Sequence, residues 1–163
     1  MYQVNLIKNY LKNSNDIIEL AEQERDKFSV RVPGQQFNFA TQYGDSSLKS
    51  LFIFNMSDQL KSTILKTLSD EDKTADGLTI NRYDPGDYLT RHKDSLGQYW
   101  KFKLIFLRSD VPHFTWFDEK GNSHLVDEEP GSHFEMPIHL EHEVTEIGPN
   151  EQPKFSLVLS WGI

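Results

Sequence analysis

The sequence predicts an α+β domain: a double-sheet jelly roll or barrel with two helices packed on its outside. Three observations carry this. From Leu78 onward, short runs of alternating apolar and polar residues are punctuated by turn signals. Two amphipathic helical stretches precede them. The chain also holds eleven Phe, six Tyr and three Trp, a supply of large aromatics that suits sheet cores. Its 163 residues fit a single domain, 1–163, able to bury its own core. Within it, residues 1–77 form helical and strand support and residues 78–163 the jelly-roll core.

The N-terminal half is mixed. Tyr2 to Leu11 reads as a strand. Ser14 or Asn15 caps a helix that runs to Lys27, with Ile17, Ile18, Leu20, Ala21 and Phe28 on one side. A second helix spans Ser57 to Leu68, its apolar positions Leu60, Ile64, Leu65 and Leu68 at helical spacing. Leu78–Tyr83 is a strand, Asp84-Pro85-Gly86-Asp87 a turn, and Tyr88–Asp94 the next strand. Trp100–Leu107 and Phe114–Phe117 follow. The loop Asp118–Asn122 leads to His124–Val126, and Glu129-Pro130-Gly131 turns again. The last strands are His133–Met136, Ile138–Ile147 and Lys154–Trp161.

Composition narrows the chemistry. With no cysteine, thiolate zinc sites, iron–sulfur clusters, disulfides and cysteine nucleophiles are excluded, so any metal rests on His, Asp or Glu. Neither a signal peptide nor a membrane span is read from the apolar runs, and a cytoplasmic protein without a membrane partner is expected. The net charge of −8 disfavours nucleic acid as a partner. The charge is uneven, however. Residues 82–108 carry six Lys/Arg against three acids, and residues 109–163 carry two Lys and eleven acids. That basic band is either a solvated face or a rim beside an anionic ligand.

All six histidines follow residue 91. In His92-Lys93-Asp94, residues i and i+2 of a strand share one face, so an imidazole and a carboxylate can take adjacent positions on one metal. Alone the pattern says little, because six His and thirteen Asp produce an H-x-D about half a time by chance. A histidine from another strand would complete a facial two-His, one-carboxylate triad with positions open for ligands. His139 and His142 compete for that place, and strand alternation puts them on opposite faces. A surface His92–Asp94 pair and an edge-strand His142 are the structural alternatives.

The segment Asn81 to Asp94 resembles the Fe(II)/2-oxoglutarate-dependent dioxygenase superfamily. Tyr83-Asp84-Pro85-Gly86, followed by His92-x-Asp94, is similar to the Y-x-x-G…H-x-D pattern of prolyl 4-hydroxylases. Asn81-x-Tyr83 also resembles the N-x-Y…H-x-D segment of AlkB-type demethylases. His142-Glu143-Val144 looks like the distal H-x-V of these families, and Lys154-Phe155-Ser156 stands where they place a basic residue and a serine. The resemblance covers roughly residues 78–161. It implies a double-stranded β-helix of cupin-like jelly-roll type. It also implies catalytic metal ligands His92, Asp94 and His142, with 2-oxoglutarate held by Lys154, Ser156, Tyr83 and Asn81. The implied cofactors are Fe(II), 2-oxoglutarate and O2, with ascorbate as an auxiliary reductant.

The last strand fits that role physically. Lys154, Ser156, Val158 and Ser160 share one face, while Phe155, Leu157, Leu159 and Trp161 share the other. One face suits a core and the other a cavity wall, where an ammonium and a hydroxyl meet one carboxylate. A Lys buried without a partner would be costly. The chain departs from both families. Pro112-His113 stands in place of a Gly-Gly before the strand Phe114–Phe117, Leu96 replaces the Glu of H-x-D-x-E, and the second terminal Arg is replaced near Ser160. The resemblance implies hydroxylation of a C–H bond in a protein or peptide side chain such as proline. An AlkB-type nucleic-acid demethylase, a small-molecule hydroxylase acting for instance on an amino acid, and a jelly-roll binding protein without iron are the alternatives. Phe37–Tyr43, Ser95–Trp100 and Val111–Trp116 are candidates for the mouth. Oligomeric state is not readable from the sequence.

Overall fold

A computed structural model of the chain describes residues 4–30, 46–94 and 99–162. The elements are β1 (Asn5–Ile7), α1 (Ser14–Gln23), β2 (Ser29–Val30), β3 (Lys49–Phe52), α2 (Asp58–Leu65), β4 (Gly77–Tyr83), β5 (Leu89–His92), β6 (Tyr99–Arg108), β7 (Phe114–Phe117), β8 (Ser123–Leu125), β9 (His133–Met136), β10 (Glu141–Val144) and β11 (Lys154–Gly162). They form a seven-stranded sheet of order β1-β9-β6-β11-β4-β3-β2 and a four-stranded sheet of order β5-β10-β7-β8. Every strand pairing is antiparallel. The result is a jelly roll with its helices on the outside of the larger sheet, the predicted class.

Strand β11 lies at the centre of that sheet and explains the layering. Phe155, Leu157, Leu159 and Trp161 join Leu78, Ile80, Ile105 and Leu107 in one apolar cluster with Ile17, Ile18, Ala21, Leu60 and Ile64 of the helices. Each fully buried Leu, Ile or Phe among them contributes about 1.5–3 kcal/mol. The opposite face of the sheet, with Tyr83, Leu104, Phe106 and Phe134, packs against Leu89, Phe114 and Val144 of the smaller sheet. The period-2 alternation of β11 therefore sorts its residues between a helix-side core and an inter-sheet space.

Several expected boundaries change. The first helix stops at Gln23 and continues only as a 3-10 turn at Arg25–Lys27, and its N-cap is Asn13. In α2 the cap is Ser57, whose hydroxyl accepts from the Leu60 N–H at 3.2 Å. The first strand is limited to Asn5–Ile7. The run Ile138–Ile147 is strand only over Glu141–Val144, because Pro137–Leu140 closes a turn through the Leu140 N–H to the Pro137 carbonyl. Strands β2 and β3 were not anticipated. Of the segments expected near a mouth, Phe37–Tyr43 lies outside the described residues, as does most of Ser95–Trp100.

Two turns position the site. In Asp84-Pro85-Gly86-Asp87, Gly86 has φ +90° and the Asp87 N–H reaches the Asp84 carbonyl at 2.8 Å. This is a type II turn with Pro at its second place and Gly at its third. Its two acids hold Lys49 at 2.8 and 2.6 Å. Gly131, at φ +85°, lies where a Cβ would fall 2.1 Å from the Leu11 carbonyl oxygen. Only glycine lets the N-terminal segment lie against that turn. No helix among the described residues is long and apolar enough to cross a membrane.

Candidate active site

Strands β5 and β10 are neighbours in the smaller sheet, and His92 pairs directly with His142 in their register. A register shift follows between His142 and Val144, an irregularity of the kind found beside functional sites. Strand β5 ends at His92, so Asp94 follows in the connection and is not on the strand as expected. Its carboxylate still turns back to the two rings: Asp94 Oδ1 is 3.5 Å from His92 Nε2 and Oδ2 is 3.6 Å from His142 Nε2. The candidate ligand atoms of all three residues lie within 4.8 Å of one another.

The tautomers follow from the backbone. His92 Nδ1 sits 2.7 Å from the Thr90 carbonyl oxygen, and His142 Nδ1 sits 2.9 Å from that of Leu140. A carbonyl only accepts, so each Nδ1 donates its proton and each Nε2 keeps its lone pair. Backbone orientation of this kind is the usual support of a ligating histidine. Burial pushes His142 below its ordinary pKa, against the pull of Asp94, which favours the neutral, ligating form. Two lone pairs and a carboxylate that converge at this range suit a divalent first-row metal with vacant positions.

A cavity of about 280 Å³ reaches from the triad across the inner face of the larger sheet. The register orders its wall: Lys154 beside Tyr83, Ser156 beside Asn81, Val158 beside Thr79, and Ser160 beside Gly77. Asn81 accepts from the Ser50 hydroxyl at 2.8 Å. The Lys154 end is enclosed, with Lys154 and Tyr83 each 2% exposed. At the other end, Phe54 is 74% exposed and stacks on Phe52, ring centroids 5.6 Å apart, which marks the mouth. Phe106 and Phe114 line the space between.

Lys154, Ser156, Tyr83, Asn81, His92, Asp94 and His142, all singled out from the sequence, thus border one cavity. The remaining histidines do not. His113 bonds Thr145 and Glu151, His124 stacks on Trp116, His133 packs on Tyr10, and His139 is exposed in a turn. The idea of a basic rim is corrected: Arg82 pairs with Asp84, Arg91 with Glu141, Lys101 with Glu71 and Lys103 with Asp72. Four of the six cations thus pair with acids, three of them with acids outside the band.

Sequence reasoning missed Glu128. It is 4% exposed and touches the Lys154 ammonium. Its other oxygen accepts the N–H groups of His113 and of Phe114, the latter at 2.9 Å. Glu128 lies between Asp127 and Glu129, which pair with Lys8 at the surface, so the triplet reads as a solvated acidic loop. The available signal was the requirement that a buried lysine have a counter-charge.

No family model and no curated protein matches the chain. Solved structures do. A Pseudomonas putida prolyl-4-hydroxylase is similar over 100% of this chain and 94% of its own, with TM-score 0.64 and 15% identity. A Trichoplax adhaerens prolyl hydroxylase, solved with a hypoxia inducible factor peptide fragment, matches over 98% and 83%, with TM-score 0.66 and 12% identity. OsALKBH1 matches over 96% and 97%, with TM-score 0.63 and 12% identity. The chain has the double-stranded β-helix fold of the 2-oxoglutarate- and Fe(II)-dependent oxygenases.

Proposed function

We propose that the protein is an Fe(II)- and 2-oxoglutarate-dependent dioxygenase that hydroxylates a C–H bond, in a protein or peptide side chain such as proline. The observation that carries this is the convergence of His92, Asp94 and His142 at one end of a cavity whose enclosed wall bears Lys154. The triad residues would hold the iron. Lys154 and Ser156 would take the distal carboxylate of 2-oxoglutarate, with Tyr83 and Asn81 as further hydrogen-bonding groups. Bound together, iron and 2-oxoglutarate supply the O2-dependent oxidation that yields succinate, CO2 and a hydroxylated product. The protein fixes the ligands, offers one buried cation to a dianionic cosubstrate, and keeps water out with Leu104, Phe106 and Phe114.

The peptide reading is favoured by the net charge of −8 and by the pairing of four of the six 82–108 cations with acids. Both leave little field to attract a polyanion. An AlkB-type nucleic-acid demethylase is the second reading, supported by Asn81 and Tyr83 on the cavity wall and by the exposed Phe54 at the mouth. The deciding experiment is succinate release from 2-oxoglutarate, screened across peptides, nucleic acids and free amino acids under Fe(II). Stimulation by proline-containing peptides supports the first reading, and stimulation by methylated oligonucleotides the second. Absence of Fe(II)-dependent 2-oxoglutarate binding under anaerobic conditions overturns both.

A further inference from the structure

Lys154 carries the one Lys or Arg side chain lining the cavity among the described residues. Its ammonium is buried and has three N–H donors. Glu128 takes one of them and does not itself line the cavity. The Glu128 carboxylate is in turn fixed by two backbone N–H groups at the start of β7, those of His113 and Phe114. Backbone donors keep a carboxylate ionised and prevent it from swinging. The Phe106 ring lies 5.1 Å from the ammonium. The charge is therefore held from behind, with its remaining donors left for the cavity.

We propose that Glu128 is a positioning residue for the cosubstrate: it braces Lys154, keeps the ammonium charged, and directs it at the distal carboxylate of 2-oxoglutarate. The inference rests on the functional reading above. Burial pulls the Lys154 ammonium down to about 7, and the Glu128 carboxylate against it favours the charged form. The brace limits how far burial depresses the ammonium. Without it, Lys154 loses its proton at lower pH, and a neutral amine holds a carboxylate poorly. The other titratable groups facing the cavity are Tyr83 from β4, Asp76 towards the mouth, and His92, Asp94 and His142 across it. Behind Glu128 stands His113, whose ring bonds Glu151. These are common to wild type and variant, so the comparison at each pH isolates Lys154.

The test is calorimetric titration of the anaerobic Fe(II)-loaded protein with 2-oxoglutarate, in wild type, Glu128→Gln and the double variant Glu128→Gln/Lys154→Arg. Affinity is expected to fall about tenfold per pH unit above the Lys154 pKa in both proteins, and in Glu128→Gln the fall should begin about one pH unit or more below that of wild type. The double variant should lose that slope, because a guanidinium stays charged throughout. A Glu128→Gln profile that coincides with wild type, or a slope that survives in the double variant, overturns the proposal. Should the variants not fold, lysine-selective NMR of the wild type decides it. A Lys154 signal still charged at about pH 6.5 supports the brace, and one already neutral there overturns it. Wild-type protein that binds no 2-oxoglutarate at any pH overturns the functional reading instead, and the NMR titration still reads the brace separately.

Discussion

His92 and His142 are direct cross-strand partners on β5 and β10, with ring centroids 4.4 Å apart. One hydrogen-bonded register thus brings together two side chains fifty residues apart in sequence, and the connection after β5 returns Asp94 to them. Replacing His92 or Asp94 with Ala is expected to abolish 2-oxoglutarate turnover. Fe(II) affinity should fall by more than the ~10–100-fold that loss of an outer-shell partner costs. Metal titration and succinate release check this, and unchanged succinate release in both variants would sink the assignment.

The two faces of β11 predict opposite phenotypes for neighbouring residues. Leu157 is fully buried on the helix side, so Leu157→Ala should cost about 2–5 kcal/mol in stability. Ser156 lines the cavity. Ser156→Ala should leave the unfolding midpoint nearly unchanged and weaken 2-oxoglutarate binding about fivefold, the loss of one hydrogen bond of ~1 kcal/mol. Denaturant unfolding and a binding titration on both variants read the two effects independently.

Gly77 controls the width of the mouth. A Cβ placed there falls 2.3 Å from the Ser160 hydroxyl. Rotation of that hydroxyl relieves an Ala, but a Val adds bulk to the cavity wall at this passage. Gly77→Val should lower turnover of the primary substrate about tenfold, or ~1.4 kcal/mol, with 2-oxoglutarate affinity changed less than threefold. Steady-state kinetics on whichever substrate the screen finds would check it. A matching loss of 2-oxoglutarate affinity would show that the passage is not the substrate route.

A buried pair on the outside of the fold carries acid sensitivity. Asp72 receives Lys103 at 2.8 Å and also accepts from the Tyr10 hydroxyl. Burial opposes the charge on Asp72, but these donors outweigh it and hold its pKa below the ordinary carboxylate value. A depressed carboxylate pKa contributes stability above its unfolded value. That contribution is lost as pH falls through the folded one. Asp72→Asn should therefore flatten the acid limb of the stability curve. Asp72→Ala, which strands the Lys103 ammonium, should cost about 3–5 kcal/mol at neutral pH. Thermal unfolding across pH distinguishes them.

The strands with sustained alternation were legible: β4, β6, β7, β9 and β11 fall within one or two residues of their expected limits. So were the residues that share the cavity, since strand faces fix which side chains meet. What was hidden depends on tertiary context. Strand β3 has only four residues, and its burial follows its neighbours, not a period of two. The apolar run before β10 reads as strand, yet the turn from Pro137 to Leu140 interrupts it. Glu128 is one of three successive acids, and only the folded chain shows which of them turns inward. The basic band also looked unpaired because three of its acid partners, Glu71, Asp72 and Glu141, come from a turn, a 3-10 helix and a strand outside it.

The division of β11 between a helix-side core and a cavity wall has a consequence for how such a chain diverges. Its odd-numbered positions, Phe155 to Trp161, answer to packing against α1 and α2, and any set of apolar residues of suitable total volume satisfies them. Its even-numbered positions, Lys154 to Ser160, answer to whatever occupies the cavity. The two sets drift under separate selection while the backbone ladder that joins them stays fixed. A lineage can exchange nearly every core residue, or retune the mouth for a new substrate, without either change forcing the other.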